Sequence, residues 1–334
     1  MELFTTHFNK SVASIGESAL IEQIKVWLGD TTLKAPYGIG DDCAVIKSNS
    51  VGHTLLTVDS LVYRHHFDDS VPAHLLGKKL VRRNLSDIAA MGGRAEYAVI
   101  ALLLSSTTRL EWIHEFYEGI REDCAYFNLK VIGGDISECS LGSFSASMTI
   151  VGKATRPLIR KGAKPGDLIF VTGELGGSIS GKHIHFMPRL DEGEWLANRP
   201  EVVAMLDITD GLSKDLPELI PAKCAAYLNI DDLPISKAAY EQAKTSKESA
   251  CTHALNDGED YELLFAVNKD TPIKPFIKEW KKVFKTPLQH IGTFEKNPTH
   301  FAQLLDAKTH KPLIHTQGQG YQHLSRKCSK VTGR

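Results

Sequence analysis

Asn84-Leu85-Ser86-Asp87-Ile88-Ala89-Ala90-Met91-Gly92-Gly93 closes an apolar periodic run that begins near residue 73. The spacing predicts a helix over 73–91, with the glycine pair as its C-terminal stop. Ser86 or Asp87 alone reads equally well as a cap. The same chemistry recurs outward, at Gly40-Asp41-Asp42, Thr57-Val58-Asp59, Gly133-Gly134-Asp135, Asp207-Ile208-Thr209-Asp210 and Asp257-Gly258-Glu259-Asp260. Each time, acidic residues stand beside glycine, serine or threonine at an apolar segment. Turn chemistry explains any one of these as readily as function does; it does not explain the recurrence. Carboxylates gathered in one cleft raise each other's pKa unless cations lie between them. Hard oxygen donors without a histidine or cysteine cluster favour magnesium, which takes one or two carboxylates together with substrate phosphates. The first reading is therefore a magnesium-dependent enzyme of phosphate chemistry.

The chain has 334 residues, enough for two domains, and 42% hydrophobic with 24% charged residues is ordinary for a globular protein. A formal net charge of −1 gives no electrostatic case for nucleic acid. The basic runs 78–83 and 278–285 are read as solvated helix faces. Six cysteines lack CxxC pairing or zinc spacing, which predicts reduced thiols in a cytoplasmic protein. No secretory leader and no span of membrane length is legible, so no membrane partner is expected.

Periodicity predicts a first helix carrying Leu20, Ile21, Ile24 and Leu28, then strands at 43–46 and 53–58. After the 73–91 helix come a strand at 97–104, a helix at 109–127 and strands at 130–132 and 144–151. Residues 156–166, rich in Pro, Gly and Lys, read as the crossing between domains 1–152 and 153–334. A second α/β unit follows, with strands at 167–171, 202–206, 225–230, 261–267 and 290–293, and helices near 214–220, 235–244 and 274–284.

One rival phosphate motif is present. Gly176-Gly177-Ser178-Ile179-Ser180-Gly181-Lys182-His183 approaches a P-loop, but places histidine where a hydroxyl must bind magnesium. A tight turn into a helix is the better reading. There is no Gly-x-Ser-x-Gly elbow, and of the scattered histidines only His65-His66 follow Asp59 closely enough to share its cleft.

Seven segments, in order, resemble the thiamine-monophosphate kinase family. They are Gly38-Ile39-Gly40-Asp41-Asp42-Cys43-Ala44, Thr57-Val58-Asp59-Ser60-Leu61-Val62 with His66-Phe67, the 84–92 stretch, Gly133-Gly134-Asp135, Lys161-Gly162-Ala163-Lys164-Pro165-Gly166-Asp167, Asp207-Ile208-Thr209-Asp210-Gly211-Leu212, and Gly258-Glu259-Asp260-Tyr261-Glu262-Leu263. Gly320-Tyr321-Gln322-His323 resembles the family's C-terminal signature. The Asn-Leu-Ser-Asp and Gly-Gly-Asp elements recur across the wider superfamily; Gly-Glu-Asp-Tyr-Glu-Leu with Gly-Ile-Gly-Asp-Asp is more specific to the kinase.

The resemblance implies an α+β, two-domain PurM-like fold whose N-terminal domain binds ATP and pairs through its sheet in a homodimer. It implies ATP and several Mg2+ ions in a cleft against a C-terminal α/β domain, and phosphorylation of thiamine monophosphate to the diphosphate. By motif, Asp42, Thr57, Asp59, Asp87, Asp135, Asp207 and Asp210 take metal positions. Gly134, Asp135, Arg160 and Thr209 fall where the family contacts ATP, and His66, Glu259 and Tyr321 where it contacts thiamine phosphate. No covalent catalytic residue is implied. Two features depart from the pattern: Val58 stands where the family usually offers a hydroxyl, and the 173–189 segment is shorter. The alternatives are another ATP-using member, such as a selenophosphate or aminoimidazole ribonucleotide synthetase, or a binding protein that has lost turnover. A selenium enzyme would favour a mobile N-terminus with a reactive cysteine or lysine, and residues 1–16 hold no cysteine.

Overall fold

The computed structural model describes residues 9, 14–28, 34–47, 52–297 and 303–313. The first unit runs α1 (Gly16–Leu28), β1 (Lys34–Asp41), β2 (Ala44–Lys47), β3 (His53–Val62), α2 (Ala73–Ala90), β4 (Arg94–Leu104), α3 (Leu110–Tyr126), β5 (Lys130–Glu138) and β6 (Phe144–Ala154). Five strands form a sheet in the order β2-β3-β6-β4-β5. Its pairs are antiparallel except β4 with β5, which α3 joins as a crossover.

Alternation along the strands decides the layers. Ala98, Ile100 and Leu102 of β4, with Ala146, Met148 and Ile150 of β6, are buried in the core that α2 and α3 share. The residues between them face away from that core, and Tyr97, Val99 and Leu103 are exposed. The helices cross at glycines: a Cβ on Gly77 would lie 2.0 Å from the Phe116 carbonyl oxygen, and one on Gly119 1.9 Å from that of His74. Backbone therefore meets backbone, and only glycine fits.

The second unit runs β7 (Leu168–Thr172), α4 (Lys182–His185), α5 (Leu190–Ala197), β8 (Val202–Asp207), α6 (Leu212–Asp215), β9 (Cys224–Leu228), α7 (Lys237–Ala243), α8 (Ala250–Asn256), β10 (Leu263–Val267), α9 (Ile273–Val283), β11 (Leu288–Lys296) and β12 (Leu304–Asp306). Its six strands are ordered β12-β9-β11-β7-β10-β8. Strands β7, β9 and β10 are buried at every position, as short continuous apolar runs demand. Phe170 and Phe265 face the core shared with the first unit, together with Phe276 and Trp280 of α9. Ile169, Val171 and Leu206 face a second core that includes Leu212, Leu216 and Ala254. The fold is two-domain α+β.

Helix α2 is central to both units. Gly92 closes it with φ +66, the left-handed stop expected at that glycine. Of the other predicted elements, 130–132 extends to Glu138 as β5, and 214–220 becomes α6 with a 3-10 turn at Leu216–Leu219. Strands β1 and β12 and helices α5 and α8 have no counterpart among the predicted elements.

Candidate active site

A cleft of about 680 Å³ collects most of the acidic segments. The β1–β2 turn supplies Asp41 and Asp42, β3 supplies Thr57, Val58 and Asp59, and the loop after β3 supplies His65 and His66. Arg83 and Asp87 come from α2, Arg160 from the crossing segment, and Asp207, Thr209 and Asp210 from the end of β8. Glu259 and Tyr261 precede β10. The acidic residues thus converge although only some stand at or just after strand ends: Asp41, Asp42, Asp207 and Asp210 do, Asp59 lies within β3, and Asp87 lies on α2 itself.

Asp42, Asp87 and Asp207 each offer a carboxylate oxygen within 4.8 Å of the others. Thr57 Oγ1 donates to Asp87 at 2.6 Å, and Ser86 Oγ donates to Asp207 at 2.5 Å. Burial, then the charges of Asp207, Asp59 and Asp42, push the Asp87 carboxyl well above the usual range. Burial and the Asp42 charge push Asp207 up to about 7. Three carboxylates at this separation, that of Asp207 buried and the other two partly so, could hold a hard cation, and the donor set fits magnesium. Arg160 offsets part of the charge, its Nη2 2.7 Å from an Asp42 oxygen.

Asp59 is held differently. Arg83 Nε lies 2.5 Å from its carboxylate, and Arg83 Nη1 donates to the Ser60 carbonyl at 2.6 Å. One turn earlier on α2, Lys79 is 0% exposed and places Nζ 2.6 Å from Glu259. Arg82, also buried, pairs with Asp123 of α3 through Nε and Nη2. This overturns the reading of 78–83 as a solvated face; only the 278–285 run is largely exposed. Helix α2 is covered on nearly all sides, so its cations are inside with the carboxylates they balance. Basic residues four apart opposite the predicted acidic clusters were the available signal.

Glu259 and Tyr261 both adopt φ +50. Backbone bonds hold the pair against the β8 end, Glu259 N–H to Thr209 and Tyr261 N–H to Ile208. Burial opposes ionisation of Glu259, but Lys79 and Arg83 outweigh it and hold the carboxyl below its ordinary value. Phe186 stacks on Tyr261 with ring centroids 3.7 Å apart, so the short 173–189 segment forms part of this wall.

The 209–211 turn rests on Asp215, unnoticed in the sequence, whose Oδ2 accepts the N–H groups of Thr209, Asp210 and Gly211. Lys214 pairs with Asp210. His66 lines the cleft and its Nδ1 accepts from the Val62 N–H. In the P-loop-like segment, Gly176 and Gly177 take positive φ and lead into short helical turns. Lys182 there is bound to Glu262 and the Glu174 carbonyl, engaged by protein rather than open to phosphate.

Two of the predicted residues lie away from the cleft within one chain. Gly134 and Asp135 are on the edge strand β5, and Asp135 accepts from Ser137. A Cβ on Gly134 would lie 2.0 Å from the Ile100 carbonyl oxygen, so strand contact requires this glycine. Tyr321 is outside the described residues.

Two packed α+β units with carboxylates at their junction define a class, and the chain matches it. AIR synthase related protein, N-terminal domain, matches residues 40–154, and the corresponding C-terminal domain matches 164–304. Thiamine-monophosphate kinase of Rhodopirellula baltica is 38% identical over 242 residues, covering 69% of this chain and 75% of the relative. That of Escherichia coli strain K12 is 32% identical over 276 residues, covering 75% and 82%. The chain belongs to the thiamine-monophosphate kinase family. A solved structure described as AaThiL complexed with AMPPCP and TMP superposes with a TM-score of 0.79 at 25% identity, covering 95% of this chain and all of that one. Hydrogenase maturation protein HypE from E. coli, at 15% identity and a TM-score of 0.62, covers 87% and 96% and shares the fold.

Proposed function

We propose that this protein transfers the γ-phosphoryl group of ATP directly to the phosphate of thiamine monophosphate, forming thiamine diphosphate and ADP. Beyond family membership, one observation carries the reading. The Asp42, Asp87, Asp207 group and Glu259 stand at opposite ends of one stripe on α2, facing one cleft. A polyphosphate and a cationic heterocycle fit those two ends. The acceptor phosphate is ionised near neutral pH, so no strong general base is needed; repulsion between two anions is the obstacle. Magnesium held by Asp42, Asp87 and Asp207, with Asp59 and Asp210 beside them, would supply charge neutralisation and alignment. Arg160 adds a fixed cation, Thr57 and Ser86 orient the carboxylates, and Glu259 with His66 takes the thiamine end.

The protein is read as a homodimer. Tyr97, Val99 and Leu103 are exposed large apolar residues on the outward face of the first unit's sheet, and β5 is exposed along its whole length. Strand β2 pairs with β3 only as far as Leu56, which leaves that edge of β3 without a strand beside Thr57–Asp59 among the described residues. A second copy covering the apolar face would bring its Gly134-Asp135 toward that edge and complete the predicted ligand set. Replacing Val99 and Leu103, which share the outward face, together by Glu is expected to yield a monomer by sedimentation velocity, with activity lost in parallel. A fully active wild-type monomer at assay concentration would rule the dimer out.

Cytoplasmic residence is part of the same reading: the five described cysteines are free, and no described helix is long and apolar enough to cross a membrane. The deciding test incubates purified protein with ATP, magnesium and thiamine monophosphate, with thiamine as a parallel acceptor. Thiamine diphosphate from the monophosphate alone, with equimolar ADP, is the expected result. ATP turnover without it would point to a sibling activity.

A further inference from the structure

Lys79, Arg83 and Asp87 stand four residues apart on α2 and form one stripe, about 6 Å between neighbours along the axis. Asp87 belongs to the carboxylate group with Asp42 and Asp207; Lys79, at the other end, holds Glu259. Arg83 lies midway. Its side chain is 12% exposed and lines the cleft. Nε meets Asp59 and Nη1 meets the Ser60 carbonyl, while Nη2 makes no hydrogen bond among the described residues. The cation is fixed at the α2 turn where contents of the two ends must meet.

Resting on the kinase reading, polyphosphate occupies the Asp87 end and thiamine the Glu259 end, so the phosphoryl group crosses beside Arg83. We infer that Arg83 is a further catalytic residue, whose guanidinium donates to the oxygens of the transferred phosphoryl group. A phosphate oxygen of thiamine monophosphate forms the new bond to Pγ. The bond from Pγ to the β,γ-bridging oxygen breaks, and its electron pair leaves with ADP; Arg83 keeps its protons throughout. Its planar fork suits phosphate oxygens, and surrounding carboxylates keep it ionised. Lys79 does not serve, being fully buried and committed to Glu259.

The test compares Arg83→Gln and Arg83→Lys with wild type for thiamine diphosphate formation and for calorimetric affinity toward AMPPCP with magnesium. Arg83→Gln is expected to lower kcat by roughly 10²–10³-fold, as for removal of one transition-state donor. AMPPCP affinity should change less than about 3-fold, and added magnesium should not restore the rate. A kcat within about 5-fold of wild type overturns the inference, as does recovery with magnesium, which would leave Arg83 only a support for Asp59. Should Arg83→Gln fail to fold, Arg83→Lys decides: a normal rate overturns, a lost rate with unchanged AMPPCP affinity supports. Wild type that forms no thiamine diphosphate removes the kinase reading and this inference together; an active wild type with an unimpaired variant removes this inference alone.

Discussion

Asp207→Asn is expected to stop turnover and, in the absence of metal, to make the folded protein more stable at neutral pH. Loss of one carboxylate from the Asp42, Asp87, Asp207 group would remove charge from the proposed divalent-ion site. Metal-derived charge stabilisation amounts to several kcal/mol, so a rate loss of about 10³-fold or more follows. The stability effect has the opposite sign. Asp207 is raised to about 7 by burial and by Asp42. Well below pH 4 it is protonated whether the chain is folded or unfolded. As pH rises toward 7, the unfolded chain ionises freely while the folded one holds its proton, and stability falls by up to about 1.4 kcal/mol per unit. Above pH 7 the loss is complete. Asparagine has no such loss and can still accept from Ser86. Thermal melts in chelator from pH 4.5 to 8 should therefore show the variant gaining on wild type as pH rises, with magnesium restoring wild type. Parallel melting curves at every pH would contradict the assignment.

Lys79→Met is expected to destabilise the protein by about 3–5 kcal/mol, the usual result of breaking a buried ion pair from one side. Lys79 is wholly buried, and Glu259 would keep its charge with Arg83, itself paired to Asp59, as its main remaining cation. Burial already lowers the lysine pKa, with Glu259 pulling the other way, so the pair stands or falls together. The double change Lys79→Met with Glu259→Gln should recover much of the loss, because no unpaired charge remains. Urea denaturation of the two single variants and the double variant measures this coupling. Additive losses in the double variant would mean that the two residues do not depend on each other. Activity should fall in both Glu259 backgrounds, since Glu259 lines the end of the cleft proposed to take thiamine.

Much of the architecture was legible before any coordinates. The 73–91 helix, its glycine stop and the strands of the first sheet follow from periods of 3.6 and 2.0, which report a half-buried face directly. The acidic segments raised the expectation of a cation site, and six of the seven predicted metal positions, Asp42, Thr57, Asp59, Asp87, Asp207 and Asp210, line one cleft. Strand β5 was read short because glycines interrupt it and it has no buried face to mark its length. Helix α8 gives no clear stripe because its buried face is made of Ala250, His253, Ala254 and Leu255, with one large apolar residue among them.

Residue types at recurring turns suffice to indicate oxygen ligands, magnesium and phosphate, since those preferences are chemical and local. They do not reveal which carboxylates stand within reach of one another. Asp87 and Asp207 are 120 positions apart, and only the packing of β8 against α2 joins them. The same burial inverted the meaning of Lys79, Arg82 and Arg83. Lysine and arginine read as surface wherever solvent is assumed; a helix covered on nearly all sides leaves them little solvent, so carboxylates must balance them.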